Sequence, residues 1–337
     1  MKNRKRVEYI WLDGYLPLPR IRAKTRYIDL DTNRLIPDWN FDGGSTNQGE
    51  LNDSDRCLRC VRAYKDPFNE DGVLAFCEVT YHSGAAHESN TRTYLSELVS
   101  GLEESDIWVG FEQEFTFINP ATEKPLGYLL QPKKQGQYYC GVGCLNQIGR
   151  YIVDEFEMRC EKAGVFLAGL NAEVMPGQWE FQTSPQGPLK SSDDLWVARY
   201  ILEMVSESKP VIISYDPKPH PEFNGAGCHT NMSTTKMRDC FGMDEQEELM
   251  VHLEVDHKEH IKVCGAGIER RMTGEFETSD YKVFSCGVGD RGTSIRIPQT
   301  VAMEGAGYFE DRRPCANIDP YKVLYSLISS VKKSKLL

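Results

Sequence analysis

No stretch of the 337-residue sequence approaches the ~20 consecutive apolar residues that a membrane-crossing helix needs, so a helical span is not expected. Low-complexity tracts and fixed-period repeats are missing too, which argues against a disordered chain or a solenoid. Positive charge is in short supply: 39 Lys and Arg against 50 Asp and Glu leave a net charge of −11. A general nucleic-acid surface or an anionic-membrane surface is therefore not expected, and neither partner is assigned. The opening MKNRKRVEYIWLDG is basic, but Glu8 and Asp13 break its apolar run before a signal-peptide core could form. The ending SKLL runs one residue past a peroxisomal S-K-L address. A cytoplasmic location is the expectation.

The 11 cysteines are an odd number scattered through a large chain, so reduced thiols are expected rather than a disulfide framework. Cys57 with Cys60 in DRCLRC and Cys140 with Cys144 in YYCGVGC have metal-like spacings. Structural zinc wants such pairs from tight turns, however, and the β-prone CLRCV would point residues three apart to opposite faces.

What is present is an ordinary globular composition, 40% hydrophobic and 26% charged, at a length that suggests two domains. The first eighty or so residues read as short extended segments separated by turns: VEYIWLDG, TRYIDLDTNRLIP, WNFDGGSTNQG, RCLRCVRAY and VLAFCEV. The polar stretch from Tyr81 to Arg92 lacks apolar periodicity and marks a boundary, with the second domain starting near Ser89. Beyond it, helical patterns (TYLSELVSGLEE, GRYIVDEFEMRCEKAG with Gly164 as its C-cap, SSDDLWVARYILEMVSESK with a serine N-cap) alternate with extended ones (WVGFEQEFTF, VFLAGLNAEVMPGQWEFQTS). The class is α+β, with helices covering one face of a curved antiparallel sheet.

Within GFEQEFTF, Glu112 and Glu114 lie two apart in a strand and so share a face. Like charges side by side in an apolar run make sense if a cation sits between them. Glu173, Glu180 and Glu310 are further acids in apolar or aromatic settings, and His229 sits in glycine-rich FNGAGCHTNMS. Taken singly, each has a bland reading as a strand-edge acid or a satisfied core histidine. Together they suit hard divalent cations, which take carboxylate oxygens and complete their shells with phosphate and water. The segment from Glu269 to Arg313 carries Arg270, Arg271, Arg291, Arg296, Arg312 and Arg313, a density suited to anionic ligands, with a salt-bridged surface as the alternative.

Eight segments, NFDGGST, GFEQEFTF, QYYCGVG, LNAEVMPGQWEFQ, DPKPHPEFNGAGCHTNMST, ERRMTGEFETSD, DRGTSIRIP and GYFEDRRP, stand in the order and approximate spacing of glutamine synthetases. From Tyr9 to Tyr321 the chain resembles the short type II class of that family. The resemblance implies a small β-grasp-like N-terminal domain, residues 1–88, and a catalytic domain, residues 89–337. It implies ATP-dependent ligation of ammonia to glutamate through γ-glutamyl phosphate, with ATP, glutamate and ammonium as substrates and two or three Mg²⁺ or Mn²⁺ per site. By motif, Glu114, Glu173 and Glu180 would hold one cation and Glu112, His229 and Glu310 the second. Arg271, Arg291 and Arg312 would clamp glutamate and the γ-phosphate, and Arg296 the ATP phosphates. Asn224 and Gly225 would touch the glutamate backbone, and Trp108, Asn231, Ser233, Arg238 and Tyr308 would form the nucleotide pocket. Asp42, Ser45, Tyr139 and Glu277 match the ammonium site, with Glu277 on a mobile flap. For FDGGST alone, a plain turn joining two strands would also account for the residues. The implied assembly is a decamer of two five-membered rings with sites shared between adjacent subunits.

Three departures from the family pattern stand out: Phe276 where histidine is usual, Gly44 where serine is common, and a shorter PLGYLLQPKKQGQ segment. They bear on flap behaviour and amine selectivity. The alternatives are a γ-glutamyl amine or polyamine ligase of the same fold and a non-catalytic structural or regulatory relative.

Overall fold

In the computed structural model, residues 4–29, 36–128 and 134–337 are described; residues 30–35 within TRYIDLDTNRLIP and residues 129–133 of PLGYLLQPKKQGQ lie outside them. The chain begins with strands β1 (Arg4–Leu12), β2 (Ile21–Asp29), β3 (Trp39–Asp42), β4 (Asp55–Lys65) and β5 (Val73–Thr80), which form one sheet in the order β2-β1-β5-β4-β3. Alternation along β1 sends Val7, Tyr9 and Trp11 to one face, where they pack with Phe41, Leu58, Ala75 and Val79. Ile10 points the other way, into the main core with Tyr64, Leu74 and Phe76. Both faces at the centre of this sheet are thus dry, and β1 and β5 pair in parallel.

A second, nine-stranded sheet comprises β6 (Trp108–Asn119), β7 (Lys124–Pro125), β8 (Leu167–Ala172), β9 (Gln178–Thr183), β10 (Ile212–Ser214), β11 (Cys228–Ser233), β12 (Cys286–Val288), β13 (Ile295–Ile297) and β14 (Phe309–Asp311). Its main order is β12-β13-β14-β11-β6-β9-β8, with β7 and β10 pairing onto β6. The expected antiparallel pattern needs one correction, since β12 and β13 run parallel. Helices α1 (Thr91–Val99), α2 (Arg150–Ala163), α3 (Pro188–Ser206), α4 (Thr235–Asp239), α5 (Met243–Val255), α6 (His257–Val263), α7 (Ile268–Arg271), α8 (Gln299–Glu304) and α9 (Pro320–Val331) complete the described elements. Phe111, Phe115 and Phe117 of β6 face a core shared with Phe156 of α2, Phe181 of β9 and Leu195 of α3.

Gly164 ends α2 as expected: at φ 84° it takes the left-handed conformation, and its N–H bonds back to Cys160 and Glu161. The start of α3 differs from the sequence reading. The helix opens at Pro188 behind Gly187, so Ser191 and Ser192 are interior and buried. Proline at the first turn supplies a preset φ and no surplus N–H, which outweighs the serine signal. Asp193 and Asp194 are drawn into a buried network instead of the helix end. Asp193 accepts from Arg62 Nε and Arg92 Nε at 2.9 Å and from Tyr321 OH at 2.6 Å. Asp194 accepts from Tyr64 OH at 2.8 Å and Lys190 Nζ at 2.6 Å. Through Arg62 and Tyr64 of β4, this network ties the first sheet to α3.

Candidate active site

Strand register builds the site row by row. Glu114 on β6 stands opposite Glu180 on β9, which stands opposite Asn171 on β8. One step along, Gln182 of β9, Glu112 of β6 and His229 of β11 form the next row. A third row sets Asn231 of β11 against Glu310 of β14 and Glu310 against Arg296 of β13. Of these residues, Glu112, Glu114, Asn171, Glu180, Gln182, His229 and Arg296, with Glu173, Asn224, Gly225, Arg271, Arg291, Arg312, Tyr139, Phe276 and Glu277, line a pocket of about 370 Å³. The face of β6 opposite the acids carries the buried phenylalanines, so period two alone separates site from core.

Ligand atoms of Glu112, His229 and Glu310 lie within 4.8 Å of one another, as do those of Glu114, Glu180 and His229. Glu173 lies in the same pocket, but among the described residues it joins neither cluster; the histidine is common to both. His229 Nδ1 is 3.3 Å from Glu112 Oε2 and 3.5 Å from Glu310 Oε1, and its Nε2 accepts from Arg271 Nη2 at 2.9 Å. Burial, with Arg312 nearby, holds the imidazole well below its ordinary pKa, so it is neutral. Glycine at 227 permits this packing, because a Cβ there would meet Arg271 Nη2 at 2.6 Å and His229 Nε2 at 2.7 Å.

Burial pushes Glu114, Glu173 and Glu180 up to about 8, with repulsion from neighbouring acids as the next cause: Glu173 on Glu114, Glu180 on Glu173, and Glu112 on Glu180. A bound cation removes both penalties at once, and oxygen donors with one neutral imidazole are the set that Mg²⁺ or Mn²⁺ accepts. The donor set fits such an ion.

The arginines divide by what already holds them. Arg312 Nη1 and Arg296 Nη1 donate to the two oxygens of Glu310 at 2.6 and 2.7 Å. Arg271 is buried and donates to His229 and to the carbonyls of Arg312 and Arg313. Arg291 is exposed at the rim. Two buried atoms of the pocket-lining residues lack a partner among the described residues: Arg296 Nε, a donor, and Asn224 Oδ1, an acceptor. A ligand bearing both an anion and an amine would satisfy both.

The flap segment is strained. Phe276 at φ 55° and Glu277 at φ 60° are consecutive non-glycine residues in the left-handed region. Asn224 Nδ2 reaches Glu277 Oε2 at 3.3 Å, and the Lys218 ammonium lies 3.8 Å from the centre of the Phe276 ring. The lysine thus finds an aromatic face at Phe276, one of the departures noted in the sequence.

Beside this pocket lies a second one of about 400 Å³, lined by Trp108, Asn231, Ser233, Arg238 and Tyr308 and sharing Glu112 and Gln182 with the first. Arg238 stacks 4.2 Å from the Trp108 ring and is held by Ser233 Oγ at 3.0 Å and Asp106 Oδ2 at 2.8 Å. Trp108 and Tyr308 are exposed, leaving flat aromatic surface at the mouth. Asn231 divides its role, since its amide donates to Glu112 Oε1 at 2.8 Å.

Tyr139 and Glu277 of the ammonium set line the acid pocket; Asp42 and Ser45 do not. Both are exposed at the end of β3 on the other sheet, where Ser45 Oγ donates to Asp42 Oδ2 at 2.5 Å. That bond holds the Asp42 carboxyl below its ordinary range, so it stays anionic. Sequence reasoning missed the carboxamides Asn171, Gln178 and Gln182, each of which donates to a site acid. Period-two spacing from Glu173 and Glu180 was the available signal for Asn171 and Gln182.

The model of the glutamine synthetase catalytic domain matches residues 88–255. A glutamine synthetase of Yarrowia lipolytica is 43% identical over 322 residues, covering 94% of this chain and 87% of the relative. A cytosolic isozyme of Pinus sylvestris is 41% identical over 94% of this chain and 90% of its own, and a chloroplastic enzyme of Chlamydomonas reinhardtii is 43% identical over 97% and 90%. The cryo-EM structure of Plasmodium falciparum glutamine synthetase superposes with a TM-score of 0.78 at 18% identity, over 98% of this chain and 72% of that one, a likeness of fold. With identities above 40% across nearly the whole chain, this protein belongs to the glutamine synthetase family, the glutamate–ammonia ligases.

Proposed function

We propose how the residues divide the work of joining ammonia to glutamate. Glu114, Glu173 and Glu180 hold one divalent cation, and Glu112, His229 and Glu310 a second. The observation that carries this is that ligand atoms of Glu112, His229 and Glu310, and of Glu114, Glu180 and His229, lie within 4.8 Å of one another with Glu173 lining the same pocket, a gathering of acids that is unfavourable without positive charge. When bound, such ions supply the charge against which phosphoryl oxygens gather.

The rest is the work of the chain's own side chains. Trp108 and Tyr308 cover the base of ATP at the outer pocket, and Arg296 turns its free Nε to the phosphates. Glutamate enters from the other end, its α-amino group donating to Asn224 Oδ1 and its side-chain carboxylate facing Arg291 and Arg312. Forked guanidinium donors match both the carboxylate and the γ-glutamyl phosphate that follows. Glu277 closes over the acyl phosphate, excluding water, and with Tyr139 lines the path for ammonium. An anionic Asp42 attracts ammonium and accepts its proton before attack.

Asp42 and Ser45 stand outside their own chain's pocket, which supports sites completed by a neighbouring subunit within a decamer of two five-membered rings. The domain division at 88/89 follows the change from one sheet to the other. Cytosolic relatives support a cytoplasmic location, although a chloroplastic relative matches as well.

The test is glutamine formation from ATP, glutamate and ammonium with Mg²⁺ or Mn²⁺, with hydroxylamine and methylamine as rival amines. Ammonium is the preferred amine, and chelator, Glu173→Ala or His229→Ala each abolishes turnover while the fold is retained. Full turnover in chelator, or a preference for methylamine, overturns the reading.

A further inference from the structure

We propose that four carboxamides, Asn171, Gln178, Gln182 and Asn231, are positioning residues that choose which oxygen of each site acid faces the cations. The inference rests on the metal-holding role given above to Glu112, Glu114, Glu173 and Glu180. Asn171 Nδ2 donates to Glu173 Oε1 at 2.9 Å, and Gln178 Nε2 to Glu114 Oε2 at 3.0 Å. Gln182 Nε2 donates to Glu180 Oε1 and Asn231 Nδ2 to Glu112 Oε1, both at 2.8 Å. With a cation bound each acid would be an ionised carboxylate, which only accepts, so the amide nitrogen is the end that meets it. Each acid thereby has one oxygen tied.

For Glu112 and Glu114 the untied oxygen points where the ligand clusters form. For Glu112 it is Oε2 that stands 3.3 Å from His229, and for Glu114 it is Oε1 that stands 4.0 Å from the same ring. Glu173 keeps a longer contact on its second oxygen, 3.2 Å from the N–H of Val174. The donors are neutral, and that matters: a lysine or arginine in these places would offset the negative charge that attracts the cation. Glu310 shows the contrast, with a guanidinium on each oxygen.

The sheet places the amides without help from loops. Asn171 and Glu173 are two residues apart, as are Glu180 and Gln182, while Gln182 lies opposite Glu112. Gln178 is further fixed by donating to the carbonyl of Gly225 at 3.1 Å. Tied oxygens remove rotamer freedom from acids that otherwise have two equivalent ways to bind, which raises affinity without adding a ligand.

The experiment measures Mn²⁺ binding to the intact protein without nucleotide, by the electron paramagnetic resonance signal of free Mn²⁺, together with the metal-free melting temperature. Removing the donor in Gln182→Met, or in Asn171→Leu on the edge strand β8, weakens Mn²⁺ binding about 10- to 100-fold. Gln182→His, which restores an N–H, recovers most of it, and metal-free melting is unchanged in all three. Wild-type affinity in both donor-less variants overturns the proposal, as does a metal-free melting temperature that falls in step with affinity, which marks a structural role. If one variant fails to fold, the other carries the same prediction. Absence of Mn²⁺ binding by the wild type is a different result, which removes the metal-holding role itself.

Discussion

Glu112 and Glu114 were legible as a site from their spacing alone, because in a strand the face a side chain takes follows from counting. The core phenylalanines on the opposite face of β6 are the other half of that count. Gln182 and Asn171 were not legible: an amide in a strand carries no charge and is at home on an exposed face, so it raises no compositional alarm, and only the structure shows that it meets an acid. Asp42 lies between these cases. FDGGST fits a turn, and the structure does place it at a strand end, with its carboxylate exposed and bonded to Ser45. Its assigned task is confined to ammonium. Asp42→Ala therefore lowers glutamine formation about 100- to 10,000-fold while γ-glutamyl phosphate formation, followed by ADP release without ammonium, is far less affected. Equal loss in both half-reactions removes Asp42 from proton transfer.

At the scale of elements, α3 shows where local signals mislead. Its serine-acid stretch resembles a helix start, yet those acids lie one turn inside and face part-buried arginines and buried tyrosines. Tertiary partners far along the chain, at Arg62, Arg92 and Tyr321, claim Asp193, and no window around the residue could show them. Asp193→Ala strands two guanidinium groups and a hydroxyl at a join between the sheets, and it costs about 3–5 kcal/mol in denaturant unfolding. A loss of less than ~1 kcal/mol, the range of exposed ion pairs, contradicts that picture.

Helices α6 and α9 hold a second buried network. Arg313, fully buried, is paired with Asp311 and donates to the Nδ1 atoms of His257 and His260, while His260 Nε2 meets Ser330 Oγ at 2.8 Å and Asp256 accepts from that hydroxyl. Burial first, then Arg313, lowers His260 from 6.5 to about 3 and lowers His257 in the same direction. Both rings are neutral in the folded chain and protonate more readily when unfolded. Stability is therefore complete above the unfolded value near 6.5 and is lost as pH falls from there toward 3. Melting temperatures recorded downward from neutral pH trace this slope, and His260→Gln flattens it; an unchanged slope in that variant assigns the acid sensitivity elsewhere.

For the molecule as a whole, the two sheets were visible in outline because turn-rich strands give way to alternating strands and helices near Ser89. Their order was not visible, since β1 pairs in parallel with β5 across more than sixty residues of chain and β6 gathers partners from four directions. Completion of one subunit's site by the next has its own test. Inactive Asp42→Ala and inactive Glu173→Ala subunits, denatured together and reassembled, regain part of the activity, because some junctions pair an intact Asp42 with an intact Glu173. No recovery in mixed assemblies confirmed by mass means that each chain builds its own site.

The exposed Asp42–Ser45 turn lies outside its own chain's acid pocket, and under the shared-site proposal the number of working sites depends on how often two chains meet. Specific activity then ceases to be a constant of the polypeptide. Below the concentration at which subunits separate, rate falls with a higher power of protein concentration than one, and activity returns on reconcentration with a lag set by encounter rather than by folding. Proton transfer to Asp42 becomes, in that regime, a reaction of higher molecular order.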